Sequence, residues 1–78
     1  MRYWLKFLRQ KNKLNQTKTA ELMGITRQYY SYIEKGERLQ DLTLSMAVKI
    51  SDIFNISLND IKNFEEKEPQ NGIYNKKH

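Results

Sequence analysis

The chain has 78 residues, enough for one domain around one small core. It has no cysteine and a single histidine, His78, at its extreme end, which leaves no basis for a disulfide framework or a protein-only zinc site. The net charge of +5 is concentrated: residues 1–38 hold nine Lys/Arg against three Asp/Glu, whereas residues 65–78 hold three of each. A basic first half favours a polyanion, either nucleic acid or an anionic membrane surface. Apolar runs are too short for a transmembrane span. The N-terminal stretch MRYWLKFLRQKN interrupts its apolar pattern with charges and does not read as a signal peptide. A cysteine-free chain of this kind fits a reducing, cytoplasmic setting.

Helix formers dominate, and no stretch alternates for long enough to suggest a sheet. The first predicted helix covers residues 2–12, with Leu5, Leu8 and Trp4 on its apolar stripe and Lys6, Arg9 and Lys11 as polar positions. The second covers 16–23. Asn15 can cap it, Ala20 and Met23 continue the buried stripe, and Gly24 suits the left-handed position that ends a helix. The third covers 27–35, from a Thr26 cap to Gly36. Only Gly24-Ile25-Thr26 separates the second and third helices, the spacing of a helix-turn-helix unit.

A polar loop, GERLQDL, follows at 36–42. Thr43 can cap a fourth helix over 44–54 with Ala47, Ile50 and Phe54 inward, and Asn55 offers a left-handed exit. Ser57 can cap a short fifth helix over 58–63 with Leu58 and Ile61 buried. Residues 65–78, EEKEPQNGIYNKKH, read as a polar tail that is flexible or ordered only by a partner, so the domain is expected to span residues 1–64.

The stretches LKFLRQKNKLNQ, TAELMGITRQYYSYIEKG and AVKISDIFNISLNDI together resemble the lambda-repressor-like, Cro/C1-type helix-turn-helix family, from Leu5 to Ile61. The resemblance implies an all-α, compact five-helix domain. It also implies a sequence-specific regulator, a repressor or a mobile-element control protein, that binds a double-stranded DNA operator. Its third helix would enter the major groove. Carried onto this chain, Arg27, Gln28 and Tyr32 would face base edges with Ser31 alongside, and Gln16 would contact phosphate and brace the third helix. Thr17, Lys18, Tyr29, Lys35 and Arg38 would lie near the backbone, and Arg9 and Glu34 would form a structural ion pair between the first and third helices. Family members usually bind as dimers, formed before or on the DNA.

The residue chemistry agrees with that reading. Arg27 and Gln28 fall in the first turn of a helix, where free N–H groups favour an anion and a cation is poorly placed without one. Arginine can bond guanine O6 and N7 in a fork, and glutamine can do the same with adenine N6 and N7. Lysines 11, 13, 18 and 35 suit phosphate contacts, which supply affinity and orientation.

The chain departs from the family in three places. Leu42 stands where a proline commonly precedes the fourth helix, and the loop after Gly36 is longer, which displaces Arg38. Tyr30 occupies an inner position usually filled by Val or Ile, so a larger ring must fit. Lys13, beside Asn12, replaces a glycine, which requires one of the two to turn left-handed.

Nothing in the sequence makes a triad, metal cluster or phosphate loop, so no enzyme and no cofactor are expected. The competing reading is a protein-interaction or antitoxin-like module using the same fold, with Tyr3, Trp4, Phe7, Tyr29 or the tail as its surface. RNA could stack on exposed rings, but a helix-turn-helix favours duplex DNA. A membrane role is disfavoured because the first helix needs its apolar face for the core.

Overall fold

The computed structural model describes residues 1–36 and 42–68. The helices are α1 (Tyr3–Lys11), α2 (Gln16–Met23), α3 (Arg27–Lys35), α4 (Leu44–Phe54) and α5 (Leu58–Lys67), with no strand among the described residues. The fold class is all-α.

Local chemistry explains most of the helix ends. Asn15, Thr26, Thr43 and Ser57 each adopt extended backbone and accept a first-turn N–H through the side chain. The Ser57 cap is reciprocal, because Asp60 also accepts the Ser57 N–H. Gly24 and Gly36 end α2 and α3 with φ of 71° and 66°. A Cβ at Gly24 would meet no atom within 4 Å, so it is the dihedral, not crowding, that favours glycine there. Asn55 leaves α4 at φ 54°, and Lys13, not Asn12, takes the left-handed position after α1 at φ 58°.

The core joins Trp4 and Leu5 of α1, Ala20 and Met23 of α2, Tyr30 and Ile33 of α3, Met46, Ile50 and Phe54 of α4, and Ile61 of α5. Leu8, Ile25, Ala47 and Phe64 pack on its margin. Burying each large side chain contributes about 1.5–3 kcal/mol. α2 packs on both α3 and α4, α4 on α5, and α1 on α3, so among the described residues the outer face of α3 is left uncovered.

Two sequence expectations need correction at α5. The helix runs to Lys67 rather than ending at residue 63. Leu58, expected in the core, is 44% exposed. The inward stripe is Ile61, Phe64, Glu65 and Glu68, which share a helical face but change from apolar to acidic halfway along. A search for apolar periodicity stops where the carboxylates begin. Glu65–Lys67, expected in a tail over 65–78, therefore belong to α5, while residues 69–78 of that expected tail lie outside the described residues.

Candidate nucleic-acid interface

The α2–α3 connection is built by its own backbone. The Ile25 N–H returns to the Ala20 carbonyl, and Thr26 Oγ1 accepts the Tyr29 N–H at 3.0 Å. This turn presents α3 with one face inward and one outward. Tyr30, Ile33 and Glu34 are buried, whereas Arg27, Gln28 and Lys35 are exposed and Ser31 and Tyr32 half-buried.

Arg27, Gln28, Ser31, Tyr32 and Lys35 line one concave surface. Their spacing places them along one side of α3, and none of them is acidic. No acidic residue occupies the first turn of α3 to offset Arg27.

The other candidates lie off this surface. Tyr29 is 37% exposed but lines a different part of α3. Thr17 and Lys18 are exposed in the first turn of α2, where Lys18 Nζ lies 3.6 Å from Glu21. Gln16 is half-buried, and its Nε2 donates to Glu34 Oε1 at 2.7 Å. An amide carries a second N–H, so the start of α2 can brace α3 and still offer a donor outward. Arg38 lies outside the described residues.

Behind the exposed face, Glu34 is fully buried and accepts hydrogen bonds from three elements. Arg9 of α1 grips it in a fork, Nε to Oε2 at 2.9 Å and Nη2 to Oε1 at 3.1 Å, while its Nη1 donates to the Leu14 carbonyl. Gln16 approaches from α2, and the Tyr30 hydroxyl donates to Oε2 at 3.1 Å. The tyrosine that departs from the family pattern thus has a partner for its hydroxyl and is fully buried.

The same contacts set the charges. Burial alone would raise the Glu34 pKa, but hydrogen bonds from Arg9 and Gln16, with the arginine charge and Tyr30, outweigh it and hold the carboxyl below its ordinary value. The Glu34 bond raises Arg9 against the opposing effect of burial. Burial, reinforced by the Glu34 carboxylate, pushes the Tyr30 phenol upward.

The helix-turn-helix family profile matches residues 5–61. The chain belongs to the helix-turn-helix family. Two similar proteins are named as uncharacterized HTH-type transcriptional regulators. One, from Methanocaldococcus jannaschii, is 35% identical over 68 residues, covering 87% of this chain and 100% of that protein. The other, from Archaeoglobus fulgidus, is 34% identical over 68 residues, covering 87% of this chain and 93% of that protein. Comparison with solved structures returned no match.

The helix-turn-helix match takes in Arg9, Gln16 and Glu34 but stops short of a second polar cluster at both of its ends. In that cluster Arg2, Trp4, Glu65 and Glu68 are joined by hydrogen bonds. Sequence reasoning missed the cluster, since Arg2 precedes the first apolar stripe and the two glutamates resembled a solvated tail. Among the described residues, no helix of this helix-turn-helix chain is long and apolar enough to cross a membrane.

Proposed function

We propose that this helix-turn-helix chain is a sequence-specific double-stranded DNA-binding transcriptional regulator, a repressor or mobile-element control protein acting in the cytoplasm at the nucleoid. One observation carries the reading. The outward side of α3 gathers Arg27, Gln28, Ser31, Tyr32 and Lys35 on one concave surface, with no carboxylate among the described residues that line it. An α-helix fits the major groove, where every base pair presents a distinct pattern of donors and acceptors.

Arg27 and Gln28, at the leading end, read base edges, with Ser31 and Tyr32 one turn along. Lys35, Lys18, Thr17 and the Tyr29 hydroxyl meet phosphates, as do Gln16 through its outer N–H and Arg38 from the loop. No chemistry on the DNA is involved, and no cofactor is needed. Regulation follows from occupying the operator and excluding or recruiting other proteins. The chain acts as a homodimer at paired half-sites, with major-groove entries about 34–36 Å apart.

The test is selection from random duplexes, followed by titration at several salt concentrations. Arg27→Ala and Gln28→Ala should each change the preferred sequence, with about 1–3 kcal/mol of discrimination lost per contact. Lys18→Ala should weaken all duplexes alike and reduce the salt slope by about one. A wild-type chain with neither preference nor salt-dependent duplex binding would sink this reading in favour of a protein-partner module.

A further inference from the structure

The last C=O groups of a helix have no partner within it. In α3, two of them are taken by a residue from the start of the chain. Arg2 donates its backbone N–H to the Glu34 carbonyl at 2.7 Å and its Nη1 to the Ile33 carbonyl at 2.6 Å. Its Nε and Nη2 grip Glu65 of α5 at 2.8 and 3.0 Å. Trp4 Nε1 donates to the same carboxylate at 2.8 Å, and the Trp4 backbone N–H donates to Glu68 at 3.1 Å. The Trp4 ring stacks on Phe64 with centroids 5.3 Å apart. The end of α5 therefore closes on the N-terminus, and the N-terminus closes on the end of α3.

We propose that Arg2, aimed by Glu65, is a positioning residue that sets how the C-terminal half of α3 is presented to DNA. The inference rests on α3 being the DNA-reading helix. The Arg2 side chain is 1% exposed, so its charge needs a partner within the fold. Glu65 supplies it. The guanidinium is planar and rigid, so fixing Nε and Nη2 on one carboxylate fixes the direction of Nη1. That direction ends on Ile33 O. A cation there also complements the negative end of the α3 dipole.

The two ties on α3 divide the work. The Glu34 side chain, held by Arg9 and Gln16, sets which face of α3 turns inward. Arg2 holds backbone carbonyls, so it sets where the last turn lies. Tyr32 and Lys35 depend on that turn, whereas Arg27 and Gln28 follow the Thr26 cap at the opposite end. Both partners of the clamp lie outside the segment matched by the family profile.

The test uses the full chain with Arg2→Lys, which keeps the charge and loses the fork, and Glu65→Gln, which keeps the shape and loses the charge. Amide hydrogen exchange should quicken at least about tenfold across Tyr32–Gly36 while residues 26–30 are unchanged. In duplex selection, preference should change only at the base positions nearest the C-terminal end of α3. Exchange altered evenly along the chain, or the wild-type preference kept at uniformly lower affinity, would overturn the proposal in favour of general stabilisation. If Arg2→Lys fails to fold, Glu65→Gln decides by the same two readouts. A wild-type chain that selects no duplex overturns the DNA reading instead, and local exchange in the free variants separates that failure from loss of the tie.

Discussion

Two arginines of the first few turns reach α3 by opposite means. In the Arg9–Glu34 pair both members are buried, the carboxylate more deeply, with side-chain exposures of 10% and 1%, and the carboxylate belongs to α3 itself. In the Arg2–Glu65 pair the arginine is the buried member, at 1% against 25%, and α3 contributes only backbone carbonyls. The first pair holds the helix by a side chain that three elements share. The second holds it through an intermediary whose own counter-charge sits on another helix. A shared buried carboxylate cannot be removed without stranding its partners, whereas Glu65, a quarter exposed, is already partly solvated.

The sharpest way to break this comparison is Glu34→Ala. Removing one member of a buried pair leaves Arg9 uncompensated and should cost about 3–5 kcal/mol. A urea melt should show this as a lower midpoint, and a loss below about 1 kcal/mol would mean that Arg9 finds water easily. Acid titrates the same site without mutation. The folded carboxyl sits below its ordinary value of 4.5, so the unfolded chain binds more protons as the pH drops. The contribution of Glu34 is present above that ordinary value and is lost as the pH falls through the lower folded value. Glu34→Gln should flatten that acid limb in urea midpoints measured across pH.

Glu65→Ala should cost less, about 1.5–3 kcal/mol, because Glu65 is partly exposed and Arg2 keeps its bond to the Ile33 carbonyl. Equal losses for Glu34→Ala and Glu65→Ala would erase the distinction between the two pairs. The smallest effect is expected from Tyr30→Phe, which keeps the ring in the core and removes one donor to Glu34, costing about 1 kcal/mol. It should also remove an alkaline limb. The wild-type phenol is held above its ordinary value of 10.0, chiefly by burial, so its contribution is lost as the pH rises past that value.

The contrast between the pairs is also a contrast in legibility. Arg9 and Glu34 were readable because they fall within a spaced series of family-like residues, although the hydroxyl contact of Tyr30 was not. Arg2 and Glu65 lie 63 positions apart, and nothing near either names the other. Leu58 misled for a related reason: an apolar residue opening a helix scores as core, but the acidic continuation of the Ile61 stripe chose the buried face. The outer face of α3 was more accessible, since the family resemblance singled out Arg27, Gln28, Ser31 and Tyr32, and Lys35 follows them at helical spacing.

The amino-acid sequence by itself determined where helices start and stop and which residue types their faces carry. Caps such as Asn15, Thr26, Thr43 and Ser57, and left-handed exits at Gly24, Gly36 and Asn55, act within a turn of backbone. Only the tertiary structure decided which of nine carboxylates would neutralise each buried arginine, and that the end of α5 would fold back onto the first residues. Charges pair through space and through the desolvation around them, and chain order carries no record of either until the helices have packed.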